Sequence, residues 1–296
     1  MSAPDASTGA STDDASRNTS ISGNYEVDGR SMYIECRGSG SPTVVLIGGL
    51  RAAADYWDRA GQTLPTVGSQ VAEFTRVCAY DRPGTVQGDN TFSRSEAVAQ
   101  PSSQASAVTD LHELLAVAGV QGPYVLAAHS YGGFVARAYA AAYPEEVTGL
   151  VLIDALSEGF QTALTPEEYS AWKESQRVSD SDVAEYPGIE RLDEDAVMAE
   201  MRATPPIHPM PLTVLSADRL YGPGWADLIR SGSLPADTPP ELGYAIDAAQ
   251  RSSQELQAAL LPDAVHITNT HSGHDIPLEN PGIVVEAIRD IVLKLR

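Results

Sequence analysis

Hydrophobic positions along this chain follow two alternating periods from Gly23 to the carboxyl terminus. Short continuous apolar runs bounded by small residues, such as residues 42–50 and 124–129, are typical of strands buried on both faces. Segments with an apolar residue every three or four positions lie between them and predict amphipathic helices. This alternation favours a mostly parallel sheet that helices cover on both faces.

The pattern predicts eight strands. Residues 24–36 form two alternating runs around Asp28 and Gly29, which indicates an antiparallel hairpin. The other predicted strands lie at residues 42–50, 71–80, 124–129, 149–155, 211–217 and 264–269. The predicted helices lie at about residues 102–118, 132–143, 240–261 and 282–295.

Two segments depart from this alternation. Residues 156–209 are polar, acidic and helical in period, and we interpret them as a helical cap inserted after the sixth strand, which divides the core into residues 23–155 and 210–296. Residues 1–22 are small and polar without apolar periodicity, so we expect a disordered tail. No run of eighteen apolar residues occurs, and we expect no membrane span.

Composition narrows the classes of partner. The 296 residues suit one large α/β domain, and 40 acidic against 19 basic residues give a formal net charge of −21. Such a charge disfavours nucleic acid and anionic membrane surfaces as partners, and we interpret it as a solvated acidic surface. The sequence does not determine the oligomeric state.

A serine between small residues follows the run at residues 124–129. Ala128-x-Ser130-x-Gly132 differs by one methyl group from the G-x-S-x-G elbow, in which a sharp strand-to-helix turn exposes the serine. A serine hydroxyl needs a base to become a nucleophile. We select His274, in a loop after the last strand, over His271. His129 is expected to point away from Ser130, because neighbours on a strand alternate.

The order of elements and four motifs resemble the α/β-hydrolase superfamily over residues 23–296, and in particular its bacterial esterase-like members with a helical cap. The motifs are residues 47–50 (IGGL), 80–84 (YDRPG), 128–133 (AHSYGG) and 272–274 (SGH) followed by Glu279-Asn280-Pro281. The resemblance implies a mostly parallel eight-stranded α/β-hydrolase sheet with helices on both faces. It also implies that the backbone N–H groups of Leu50 and Tyr131 form the oxyanion hole, with Gly48 in place of the family's usual histidine.

Two aspartates are candidates for the acid that orients the imidazole. Asp154 ends the sixth strand, and Asp218 follows the seventh, which is the commoner place in this superfamily. We prefer Asp154, because the position of Asp218 is about two residues short and lacks the usual preceding glycine. The carboxylate that is not catalytic is expected to be structural, paired with Arg219 or with a cap residue.

The YDRPG loop admits two interpretations. Arg82 could bind an anion, or the loop could be a turn that buttresses the serine elbow from below, and we prefer the second. No Cys, His or Asp cluster has metal-ligand spacing and no glycine-rich nucleotide loop occurs, so we expect no metal and no cofactor.

The two cysteines leave the compartment open. Cys36 and Cys78 lie in strands expected to be neighbours, so a disulfide and two buried free thiols both fit. A disulfide would suit an exported protein or one of the cell envelope, and the Ser/Thr/Asp-rich start fits a chain whose export signal was removed. Without such a signal the cytoplasm is expected.

Together these features predict a serine hydrolase that cleaves a small carboxylic ester or lactone through an acyl-enzyme. An aminopeptidase-like enzyme or a cofactor-free perhydrolase would use the same triad. The aminopeptidase needs carboxylates that hold an amine, and the cap offers Glu158, Glu167, Glu168 and Glu185. A protein that only binds a small apolar ligand is the alternative from another class. Trp57, Trp172 and Trp225 are candidates to line the pocket.

Overall fold

The computed structural model describes residues 20–59 and 65–296, and its described part contains an eight-stranded sheet. The strands are β1 (Ile21–Val27), β2 (Arg30–Arg37), β3 (Thr43–Ile47), β4 (Val77–Tyr80), β5 (Tyr124–His129), β6 (Val147–Ile153), β7 (Leu212–Leu215) and β8 (Val265–Ile267). Their order is β1-β2-β4-β3-β5-β6-β7-β8. The pairs β1–β2 and β2–β4 are antiparallel and the rest are parallel, which confirms the predicted fold class.

The connections between strands are mostly helical. The helices are α1 (Val67–Val71), α2 (Gln104–Val117), α3 (Gly132–Ala142), α4 (Glu158–Thr162), α5 (Pro166–Gln176), α6 (Asp180–Glu185), α7 (Glu194–Ala203), α8 (Gly222–Ser231), α9 (Leu242–Ala258), α10 (Ile276–Glu279) and α11 (Pro281–Lys294), with short 3₁₀ turns at Ala54–Asp58 and Pro144–Glu146. No helix in the described ranges is long and apolar enough to cross a membrane.

Both faces of the central strands are buried. Every residue of β3 and β5 is buried, because successive side chains on a strand point to opposite faces and both faces are apolar. Leu126 and Ala128 pack with α2 and α3 on one face, whereas Val125 and Ala127 pack with α1 and α11 on the other. The helices on both faces agree with the prediction.

Two local predictions were wrong. The strand expected at residues 71–80 is shorter, because Thr66 caps helix α1 by accepting a hydrogen bond from the Ser69 N–H, and the chain becomes extended only at Val77. Helix α8 was missed because its Gly222-Pro223-Gly224 start resembles a turn. Proline suits the first helical turn, where its missing N–H costs no hydrogen bond.

The sheet begins inside the segment predicted as a disordered tail. Strand β1 includes the last two residues of the predicted tail, because Ile21 and Ser22 pair with Cys36 and Glu35 in the antiparallel ladder. Residues 1–19 of the predicted tail lie outside the described residues. Helices α4 to α7 occupy the segment predicted as a cap, and its division from the core stays a prediction.

Of the two alternatives for the cysteines, the structure contains the disulfide. Cys36 and Cys78 are directly opposite each other on the antiparallel strands β2 and β4, and both are buried. The bond joins the antiparallel edge of the sheet to its parallel centre.

Candidate active site

Ser130 lies at a sharp turn between β5 and α3. Its φ is +53°, a left-handed conformation that non-glycine residues rarely adopt. The turn is tight because a Cβ at Gly132 would lie 2.5 Å from the Ile47 carbonyl oxygen, and one at Gly133 would lie 2.5 Å from the Ala155 Cβ. Small residues at these positions let the helix start directly behind the serine, which leaves its hydroxyl at the sheet edge.

The structure brings Ser130, His274 and Asp154 into one hydrogen-bonded chain. The distance from Ser130 Oγ to His274 Nε2 is 2.9 Å, and from His274 Nδ1 to Asp154 Oδ2 it is 2.6 Å. Because an ionised carboxylate can only accept, Nδ1 carries the proton and Nε2 is free to accept from the serine hydroxyl. In this geometry the imidazole can act as a base toward the serine.

Asp154 is held at the end of β6 by hydrogen bonds to the end of β7 and to the residues after it. Its φ is +39°, its N–H donates to the Leu215 carbonyl, and its Oδ1 accepts from the Ala217 N–H at 3.1 Å. The side chain is only 2% exposed. Burial opposes ionisation, but the hydrogen bond and charge of His274 outweigh it, so the pKa of the Asp154 carboxyl is lowered.

The pKa of His274 is shifted in the opposite direction to that of Asp154. Burial disfavours its protonated form, yet the hydrogen bond and negative charge of Asp154 raise the pKa of His274 above its ordinary value. The pair therefore stabilises an imidazolium at the position where a serine proton would arrive.

Asp218 does not contact His274. Its two carboxylate oxygens accept the N–H groups of His271 and Ser272, each at 3.0 Å. It therefore supports the loop that carries His274. The expected pairing with Arg219 is wrong, because Arg219 bonds Glu279, which also accepts the Gly273 N–H.

Strand alternation did not predict that His129 contacts the loop of His274. Its ring lies 4.6 Å from that of His274, and its Nε2 bonds the His274 carbonyl oxygen at 2.9 Å. The ring also stacks on Tyr56, whose hydroxyl donates to Asp275. Burial first, and then the neighbouring His274, lower the pKa of His129 to about 4, so it stays neutral near pH 7. A histidine adjoining the elbow was the only sequence signal for this support.

The loop after β3 brings Leu50 beside the serine. A Cβ at Gly49 would lie 3.1 Å from the Ser130 Cβ, so the backbone of this loop is close to the elbow. Within the described residues, the backbone N–H groups of Leu50 and Tyr131 have no hydrogen-bond acceptor. Two unpaired donors beside a serine can bind an oxyanion.

The YDRPG loop contacts the residue after the nucleophile, since the Arg82 guanidinium lies 5.3 Å from the ring of Tyr131, and this contact is compatible with the predicted buttress. Arg82 also donates to the carbonyl oxygens of Gly48 and Gly49, and Glu190 neutralises its charge. The anion-binding interpretation does not fit, since a carboxylate of the chain already occupies the guanidinium.

An apolar cavity of about 280 Å³ opens onto Ser130 and His274. Leu50, Tyr131 and Asp154 also line it, and its other walls come from α4, α5, α8 and α9, from the start of α7 and from the loops beside these helices. The apolar wall residues are Leu156, Phe160, Trp172, Leu192, Trp225, Leu228, Leu234 and Ile246. Of the three tryptophans, Trp57 instead packs in the core beside α1.

In the parts of the chain that the structure describes, no group of three or more His, Cys, Asp or Glu side chains could hold a metal ion.

Comparison with known proteins gives a family and several relatives. A model described as the alpha/beta hydrolase family matches residues 44–287. The uncharacterized protein YqjL of Bacillus subtilis is 29% identical over 146 residues, which is 49% of this chain and 52% of YqjL. The match covers 52% of the length of YqjL and 14% of the length of another curated relative, an uncharacterized protein of Schizosaccharomyces pombe.

Solved structures show the same fold at low identity. Est816, described as an N-acyl homoserine lactone degrading enzyme, is similar with a TM-score of 0.57 and 19% identity, over 91% of this chain and 100% of Est816. A thermophilic esterase from Thermogutta terrifontis is similar with a TM-score of 0.57 and 20% identity, over 94% of this chain and 99% of the esterase.

Proposed function

The chain belongs to the alpha/beta hydrolase family, and we propose that it is a serine hydrolase that cleaves a carboxylic ester or lactone through an acyl-enzyme intermediate. The observation that carries the proposal is the hydrogen-bonded chain from Ser130 through His274 to Asp154 at the mouth of an apolar cavity. Hydrolase chemistry follows from the family; the serine nucleophile and the substrate class are our proposal.

Acylation begins when Ser130 Oγ attacks the carbonyl carbon and its proton moves to His274 Nε2. Asp154 accepts the Nδ1–H throughout and stabilises the imidazolium. The N–H groups of Leu50 and Tyr131 bind the oxyanion, and one such donor is worth about 10²–10³ in kcat. When the tetrahedral intermediate collapses, the bond to the leaving oxygen breaks and Nε2 returns the proton to that oxygen.

Deacylation uses the same groups in reverse order. A water molecule attacks the acyl carbon while its proton moves to Nε2, and the resulting intermediate expels Ser130 Oγ, which takes the proton back. The carboxylic acid leaves and Ser130 is regenerated. In a lactone the leaving oxygen stays tethered to the acyl group, so the product is a hydroxy acid.

The cavity supports a compact apolar acyl or alcohol group. Its volume of about 280 Å³ is at the small end of the range for ligand pockets. Aromatic and aliphatic side chains such as Phe160, Trp172 and Trp225 form most of its wall. p-Nitrophenyl acetate and butyrate, together with an N-acyl homoserine lactone, are therefore suitable first substrates.

The deciding experiment compares the native chain with Ser130→Ala on these substrates. We expect kcat to fall by about 10⁴-fold or more, because the residual binding groups cannot replace the nucleophile. A mass increase equal to the acyl group should appear on the native chain under burst conditions and be absent from the variant. Equal turnover by the two proteins would contradict the proposal and favour the ligand-binding alternative.

One observation favours a second candidate substrate, an amide or ester with a free amine. Of the cap carboxylates considered for amine binding, Glu158 pairs with Arg137, and none of the four lines the cavity. Glu194 does line it, and burial raises the pKa of this carboxyl. Amino-acid p-nitroanilides test this candidate. Turnover that exceeds that of the esters and is lost in Glu194→Gln would establish an aminopeptidase.

A further inference from the structure

A buried ion pair joins the loop after β4 to the segment between α6 and α7. Arg82 and Glu190 are each only 3% exposed, and they meet through two hydrogen bonds, Nε to Oε1 at 2.7 Å and Nη2 to Oε2 at 3.0 Å. A buried pair recovers its desolvation cost only when the remaining donors and acceptors are also satisfied. The further hydrogen bonds of Arg82 and Glu190 therefore show which part of the structure the pair positions.

Those partners all belong to the loop that contains Leu50. Arg82 Nη1 donates to the Gly48 carbonyl at 2.9 Å and Nη2 donates to the Gly49 carbonyl at 2.5 Å. Glu190 Oε2 accepts the Arg51 N–H at 2.5 Å. The pair thus contacts the backbone on both sides of Leu50.

The covalent geometry of the peptide links these contacts to the oxyanion donor. The Gly49 carbonyl and the Leu50 N–H belong to one trans peptide unit, in which the C=O and N–H bonds point in opposite directions. A guanidinium that holds the Gly49 oxygen therefore aims the Leu50 N–H to the other side. The next peptide unit is held through the Arg51 N–H, whose residue has a φ of +63°.

The YDRPG loop is shaped to receive Glu190. A Cβ at Gly84 would lie 2.3 Å from the Gly188 carbonyl oxygen and 2.6 Å from the Glu190 nitrogen, so only glycine permits this approach. The Glu190 N–H donates to the Gly84 carbonyl at 2.8 Å. Arg82 also lies 5.3 Å from the ring of Tyr131, the residue that carries the other proposed donor.

We propose that Arg82 and Glu190 are positioning residues that aim the Leu50 N–H at the oxyanion, so that the segment between β6 and β7 completes the oxyanion hole. The inference depends on the proposed serine-hydrolase function. It assigns to Arg82 the anchoring that Gly48, which lacks a side chain, cannot supply.

The chain offers a matched control for this pair. Arg137 and Glu158 also form a two-bond pair, at 2.7 and 3.0 Å, which joins α3 to α4, the first helix after β6. Their side chains are 7% and 28% exposed. None of their hydrogen bonds reaches residues 48–51. Loss of this pair therefore shows the effect of breaking an ion pair that does not contact the loop of Leu50.

The experiment compares Glu190→Gln with Glu158→Gln. We expect Glu190→Gln to lower kcat on p-nitrophenyl butyrate by about 10–10²-fold with KM changed less than about threefold, because the donor acts mainly in the transition state. Affinity for an alkyl trifluoromethyl ketone, which forms an oxyanion adduct with serine, should fall in proportion. Glu158→Gln should lower Tm while leaving kcat within about threefold of the native value.

Three results would overturn the inference: equal kcat losses in the two variants, a loss confined to KM, or unchanged ketone affinity in Glu190→Gln. If Glu190→Gln does not fold, Arg82→Lys repeats the test, since it keeps the buried cation but loses the planar fork that reaches both carbonyls. Inactivity of Ser130→Ala with full activity of the Glu190 variant rejects only this inference. Full activity of Ser130→Ala rejects the hydrolase proposal itself.

Discussion

The ends of β6 and β7 carry similar aspartates in different environments. Asp154 and Asp218 each follow a parallel strand, and each accepts hydrogen bonds from backbone N–H groups. The side chain of Asp154 is 2% exposed, whereas that of Asp218 is 31% exposed. The second oxygen of Asp154 accepts a hydrogen bond from His274, whereas both oxygens of Asp218 accept hydrogen bonds from loop amides. The two aspartates therefore differ in where their oxygens point: one oxygen of Asp154 reaches the imidazole of His274, whereas both oxygens of Asp218 face the amides of the loop.

The largest expected difference between the two is in turnover. Asp154→Asn should lower kcat by about 10⁴-fold, because the amide cannot hold Nδ1–H with a negative charge and favours the wrong tautomer. Asp218→Asn should lower kcat by less than about tenfold. Both values can be measured with p-nitrophenyl butyrate. If Asp218→Asn alone were inactive, the comparison would be reversed.

The two aspartates should also differ in their effect on the pH dependence of activity. Protonated His274 cannot accept the serine proton, so activity is present above its pKa and is lost as the pH falls. Because that pKa is raised, we expect the acid limb of kcat/KM above about pH 6.5, with a decline of about tenfold per unit below it. Asp218→Asn should leave the limb in place. The residual activity of Asp154→Asn should show it at lower pH, where burial dominates.

His129 tests how much support His274 needs besides Asp154. His129→Leu removes the bond from Nε2 to the His274 carbonyl and the stacking on Tyr56 while keeping a side chain of similar size. One hydrogen bond of this kind is worth about 1 kcal/mol, so we expect kcat to fall by about fivefold. Because His129 is neutral in the native chain near pH 7, the acid limb should stay with His274. A loss as large as that of Asp154→Asn would mean that His274 depends on His129 as strongly as on Asp154.

The smallest effect on turnover is expected for Asp218→Ala, because Asp218 bonds only the loop that carries His274. Asp218→Ala leaves the N–H groups of His271 and Ser272 without their acceptor, which costs about 1–3 kcal/mol of unfolding free energy. Thermal unfolding should show a Tm lower by several degrees, with most of the activity retained below the transition. Unchanged Tm with lost activity would contradict a supporting role.

Local sequence was sufficient for the elements and residues whose signal lies in a few neighbours. The serine turn follows from small residues around Ser130, and the buried strands follow from continuous apolar runs. Helix α8 was missed because Gly222-Pro223-Gly224 is ambiguous between a turn and a helix start. The strand at residues 71–80 was too long because an apolar pattern does not separate a short helix from a strand.

The pairings between distant residues had no comparable signal. Arg82 and Glu190 are 108 positions apart, and nothing in the periodicity of the segment around Glu190 distinguishes it from the other acidic residues there. The sequence therefore did not predict that the YDRPG loop also holds the loop that contains Leu50. Likewise, His129 was assigned by strand alternation, which says nothing about a loop arriving 145 positions later.

Local sequence was enough to predict the eight strands, the mostly parallel sheet and the turn that presents Ser130, because each depends on short-range sterics and on apolar periodicity. It took the folded chain to show that Asp154 and not Asp218 bonds His274, which residues anchor the Leu50 loop, and that Cys36 is bonded to Cys78. These outcomes depend on distances of about 3 Å between residues far apart in the chain. Such distances are set by how β6, β7 and their loops pack, and no local pattern encodes them.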